Sequence, residues 1–137
     1  MAKVTGIGGI FFKTKDVQNT KDWYQKNLGL ATDQWGTNFE WRSAKDPNQK
    51  GFTQWSPSSL ESKFFGESGQ QFMMNYRVDD LATLLHDLSQ QGVKILGEIE
   101  TYDYGKFAHI EDPDGHKVQL WEPNDEAYDK IVEGRTL

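Results

Sequence analysis

The side chains best suited to chemistry lie in two stretches. Residues 107–123, FAHIEDPDGHKVQLWEP, carry Phe107 and His109 before a tight acidic turn, Asp112-Pro113-Asp114-Gly115, and Gln119 and Trp121 after it. Residues 72–78, FMMNYRV, carry Met73, Asn75 and Arg77 at alternate positions. An imidazole titrates near neutrality, so His109 is the candidate general base. A guanidinium is a planar fork that matches a carboxylate or phosphate, which makes Arg77 the candidate anion clamp. Each has a plainer reading beside it: a half-buried strand histidine with one hydrogen bond, and an arginine paired with a neighbouring acid. His86 and His116 read as solvated, and no two histidines stand at the helical i, i+4 spacing that marks a metal site. Cysteine is absent, which removes disulfides, thiolate nucleophiles and cysteine-based zinc sites.

The elements that must position these groups form a repeat. Ile7 to Phe12 and Phe72 to Val78 are short apolar runs of strand length. Asp16 and Asp79 or Asp80 then offer N-caps, and Gly29 and Gly92 close the two helical segments. Leu81, Leu84, Leu85 and Leu88 follow the helical i, i+3, i+4, i+7 pattern. Val17, Trp23, Tyr24 and Leu28 suit one face of the earlier helix. Strand-like material follows each helix: residues 31–43 and 51–55 in the first half, and 93–96, 106–111 and 117–121 in the second. The expected fold is α+β: two paired βαβββ modules form a curved, cup-shaped mixed sheet with helices on its outer face. A chain of 137 residues makes this one domain. Module 1 runs from about 4 to 56, a Ser- and Gly-rich linker from about 57 to 70, module 2 from about 71 to 123, and a tail from 124 to 137. The tail reads as solvated surface or a short helix.

These pieces carry a resemblance. DVQNTKDWYQKNLGL near the start, YRVDDL at mid-chain and IEDPDGHKVQLWEP near the end are similar to the vicinal oxygen chelate superfamily. It includes glyoxalase I, extradiol dioxygenases, fosfomycin-resistance enzymes and bleomycin-resistance proteins. The resemblance implies a cup that typically holds a divalent metal on His, Gln or Glu side chains from several strands. Carried over, those ligand positions fall on Gly9, on Gln54 to within a residue, on Met73 and on Gln119. Glycine has no donor atom, a thioether suits these ions poorly, and amides bring no charge. No metal cofactor is therefore expected, and the alternative is a relocated divalent-metal site centred on His109.

Strand alternation assigns the cup face. Gln119 pointing inward brings Lys117 and Trp121 with it; Met73, Asn75, Arg77, Phe107 and His109 face in likewise, as do Ile7, Gly9 and Phe11 on the first strand. A mostly apolar concavity with a few polar tips suits a small organic ligand. The expected ligand-binding set is Gln54, Met73, Asn75, Arg77, Phe107, His109, Gln119 and Trp121, with His109 as the catalytic candidate. The leading expectation is a glyoxalase- or bleomycin-resistance-like binding protein. Its alternative is a lyase, isomerase or dioxygenase-like enzyme using a relocated metal or metal-free acid–base chemistry at His109. The third reading is a structural module whose cup is filled by its own side chains. The net charge of −6 and the lack of a basic patch argue against nucleic acid. No run approaches membrane-spanning length and no signal peptide is apparent, so a cytoplasmic homodimer is expected.

Overall fold

The computed structural model describes all 137 residues. β1 (Val4–Thr14) leads into α1 (Val17–Leu28), β2 (Thr37–Arg42) and β3 (Lys50–Ser59). A 3₁₀ turn at Lys63–Phe65 joins this half to β4 (Phe72–Val78), α2 (Leu81–Gln90), β5 (Ile95–Tyr102), β6 (Gly105–Glu111) and β7 (Lys117–Pro123). α3 (Asp125–Ile131) closes the chain. The seven strands form one mixed sheet in the order β2-β3-β1-β4-β7-β6-β5.

The sheet is built by the repeat. Each half pairs its first strand with its last in parallel, β1 with β3 and β4 with β7, and β1 and β4 join the halves antiparallel. The second half is βαβββ as expected, but the first places only two strands after its helix. Residues 31–36, expected to begin a strand, instead form a turn. There Asp33 accepts hydrogen bonds from the Trp35 and Gly36 amides, and Gly36 takes φ 123°. β3 also runs on to Ser59, so the linker starts later than the Ser-rich composition suggested.

α1 and α2 lie on the outer face. Asp80 caps α2 by accepting from the Thr83 amide, and Leu81 and Leu85 pack with Val78, Ala108 and Leu120 into a core cluster. α1 departs from its apolar pattern: Trp23 and Leu28 are 53% and 59% exposed, and its one buried residue is Lys21. The Lys21 ammonium donates to the Asp33 carbonyl at 3.0 Å, so its stem serves as apolar packing. Tyr24 supplies the aromatic contact, edge-on to Trp55 at 4.9 Å. No helix is long and apolar enough to cross a membrane.

β1 carries the one departure in face assignment. Its pairing with β4 slips between Val4 and Gly6 and again between Ile7 and Gly9. Those slips set Ile7 opposite Tyr76, which packs against the helix-side core, so Ile7 faces outward rather than into the cup.

Candidate functional site

One register row crosses the floor of the concave face. Asn38 pairs with Gln54, Gln54 with Gly9, Gly9 with Asn75, Asn75 with Gln119, and Gln119 with His109. The row mirrors itself about the β1–β4 seam, with Gln54 matching Gln119 and Gly9 matching Asn75. The register thus makes Asn75 the counterpart of Gly9, while Met73 pairs with Phe11, one side-chain repeat away.

The glycines of β1 make this floor possible. A Cβ on Gly8 would stand 2.2 Å from Asn75 Oδ1 and 2.9 Å from both Arg77 Cγ and Trp121 Cε3. Only a residue without a side chain lets the bulged strand pass so close to these groups.

Along the row the amides bond to one another. Asn75 Nδ2 donates to Gln119 Oε1 at 2.6 Å, and Gln119 Nε2 lies 3.1 Å from His109 Nε2. Burial, reinforced by the nearby Lys117 charge, lowers the His109 pKa to about 4. The imidazole is therefore neutral at pH 7, with Nε2 accepting from Gln119 and the proton on Nδ1. At the other end, the Tyr128 hydroxyl donates to Asn38 Oδ1 at 2.8 Å and lies 3.5 Å from Gln54 Oε1. Burial pushes the Tyr128 phenol up to about 12.

Arg77 lies beside the row. Its guanidinium carbon lies over the Trp41 and Trp121 rings, 5.1 and 5.2 Å from their centroids, and it pairs with Asp125 of α3. Trp121 stacks on Phe107 with centroids 5.6 Å apart and donates to the Tyr104 carbonyl.

Two segments cover the concave face. α3 drops Tyr128 onto Phe52 and Trp121. The tail beyond it is tied to β2, Asn38 exchanging backbone bonds with Gly134 and Thr136. At the opposite end the linker lays Phe64 against Phe11 and His109, each 5.8 Å away, and Lys117 Nζ donates to the Phe64 carbonyl. Phe65 is fully buried. Beyond the linker an open cavity of about 550 Å³ remains, lined by Phe65, Lys94, Leu96, Glu111 and Lys117 among others.

All eight side chains expected to bind ligand thus share the concave face: Gln54, Asn75, Gln119 and His109 on the row, Met73 toward the linker, and Arg77, Phe107 and Trp121 toward α3. Sequence reasoning did not include Asn38, Phe64, Asp125 and Tyr128, or the cavity residues Lys94 and Glu111. The tail did carry a signal: Asn124 followed by Asp125 and Glu126 is a helix start, and the Asn124 side chain accepts from the Ala127 amide.

As a ligand set for a divalent ion the row fits poorly. Gly9 offers nothing, the remaining donors are neutral amides, and the imidazole Nε2 is already engaged. Asp112, Asp114 and His116 cluster at the β6–β7 turn, away from this row, where Asp112 Oδ1 accepts the Asp114 and His116 amides and builds the turn.

A family model described as the Glyoxalase/Bleomycin resistance protein/Dioxygenase superfamily matches residues 6–120. No curated protein matches the chain. Among solved structures, methylmalonyl-CoA epimerase from Mycobacterium tuberculosis is 22% identical, covering 92% of this chain and 93% of its own, with a TM-score of 0.60. A Streptomyces coelicolor methylmalonyl-CoA epimerase variant in complex with 2-nitronate-propionyl-CoA is 14% identical, covering 89% and 99%, with a TM-score of 0.66. A Legionella pneumophila protein described as an NAD-dependent benzaldehyde dehydrogenase is 13% identical, covering 85% and 98%, with a TM-score of 0.53. At these identities the likeness is one of fold.

Proposed function

We propose that this chain, which belongs to the Glyoxalase/Bleomycin resistance protein/Dioxygenase superfamily, binds a small organic molecule on its concave face without a divalent metal at the family position. The row from Gln54 to His109 carries the reading. Where metal chemistry needs charged or free donors, it holds a glycine, three amides and a neutral imidazole, two of the amides and the imidazole bonded in series. Such a floor recognises a ligand by hydrogen bonds and by the aromatic walls of Phe11, Phe107 and Trp121. The epimerases of similar fold are small-molecule enzymes by name, and one is in complex with a CoA ester, which supports a ligand of that general kind on this face. Acid–base catalysis at His109 is the weaker reading. The imidazole lone pair already accepts from Gln119, and a base with pKa about 4 has little driving force at pH 7.

Elemental analysis of protein purified without chelator, with melting curves in added Ni, Mn and Zn, tests the metal half. The expected result is no stoichiometric metal and no stabilisation. One ion per chain, bound tightly enough to raise Tm, overturns the reading. Quenching of tryptophan fluorescence across a panel of small organic molecules tests the binding half, since Trp121 walls the face.

A further inference from the structure

We propose that Arg77 is a carboxylate-binding site of the concave face, that Asp125 fills it in the free protein as an internal competitor, and that a planar aromatic carboxylate binds by displacing α3. This rests on the reading of the concave face as a small-molecule site, and adds the ligand class and the device that controls access.

The arginine is built for an anion it only half engages. Its side chain is 6% exposed, and its guanidinium carbon lies over both the Trp41 and the Trp121 rings. Nη2 meets Asp125 Oδ2, while Arg77 Nη1 and Asp125 Oδ1 are both buried without a partner. A carboxylate free to orient would take both guanidinium nitrogens in a parallel pair of bonds. Asp125 cannot orient freely. It starts a seven-residue helix held at one end by β7 and at the other by the bonds from Asn38 to Gly134 and Thr136. A buried ion pair that leaves one donor and one acceptor unmatched is a costly contact, which a better-placed anion would replace.

The occupant is the movable part. Arg77, Trp121 and Trp41 stand on strands, whereas Asp125 stands on a short terminal helix whose main apolar anchor is Tyr128. Lifting the first turn of α3 uncovers Arg77 beside the stacked Phe107 and Trp121 rings, a wall that suits a flat ring carrying the carboxylate.

Benzoate and its neutral isostere benzamide are the probes, titrated against the full chain by tryptophan fluorescence. Asp125→Asn removes the competing charge with little change of shape. It is expected to bind benzoate at least about tenfold more tightly than wild type, with benzamide unchanged. Adding Arg77→Gln abolishes the gain. A second design uses the tail anchor, where the Thr37 and Thr136 hydroxyls lie 2.9 Å apart in a chain with no cysteine. Oxidised Thr37→Cys/Thr136→Cys protein has the tail beyond α3 tied covalently to β2, which restrains the helix from swinging away, and is expected to bind benzoate more weakly than the same protein reduced. Folded Asp125→Asn protein that binds benzoate no better than wild type overturns the proposal. Should that variant fail to fold, equal benzoate affinity in the oxidised and reduced double-cysteine protein overturns it instead. Equal binding of benzoate and benzamide throughout leaves the small-molecule reading standing and removes this one. Absence of benzoate binding in every form also removes it, while the small-molecule reading rests on its own panel.

Discussion

At the scale of single residues, one glycine and one histidine carry most of the site. Gly8 is a packing requirement rather than a hinge, because its missing Cβ is the space that Asn75, Arg77 and Trp121 use. Gly8→Ala should destabilise the fold by about 1–3 kcal/mol, the usual cost of overpacking, read as a lower urea midpoint with unchanged slope. His109 gives a pH signature. The unfolded chain takes up a proton near pH 6.5, and the folded chain takes it up only near 4. Stability is thus full above 6.5 and is lost as pH falls toward 4, by at most about 1.4 kcal/mol per pH unit. The carboxylates with lowered pKa values, Asp112, Asp129 and Glu40 among them, act mainly below pH 5, since their ordinary values are 3.8 and 4.5. His109→Gln should therefore flatten the loss between pH 6.5 and 5 in urea titrations; an unchanged slope there would refute a buried neutral imidazole.

At the scale of elements, the two helices show how far pattern reaches. α2 obeys its leucine period and is held by Asp80, whose carboxylate accepts from both the amide and the hydroxyl of Thr83. Asp80→Ala should cost about 1 kcal/mol of stability in thermal or urea unfolding. α1 has equally legible ends, Asp16 and Gly29, yet buries a lysine stem and leaves Trp23 outside. Caps are local hydrogen bonds and can be read from neighbours in sequence. The buried face depends on what the sheet presents, and there Trp55, packed against Phe12, meets Tyr24 rather than Trp23. The bulge in β1 is likewise invisible to alternation, because a slipped register turns Ile7 outward while its neighbours stay apolar.

At the scale of the molecule, two repeats share one sheet, and the site lies across their seam. The outer surface keeps Trp23, Trp35, Phe39 and Phe72 each more than a third exposed. A second copy of the chain is the expected cover, so light scattering should give a dimer mass, and a monomer at micromolar concentration would refute it.

Sequence alone determined the helix caps, the α+β sheet of two related halves, and the strand residues from Gln54 to Trp121 that line the concave face, Ile7 excepted. Each of these follows from period-two alternation, from helical spacing or from a cap a few residues away. The tertiary structure decided the rest. It set Asn75 rather than Met73 opposite Gly9, because register depends on the bulges that glycines allow. It brought Asp125 to Arg77 and Tyr128 to Asn38, pairs separated by 48 and 90 residues. It also lowered the His109 pKa, since burial comes from every element that covers the ring and not from the strand that carries it.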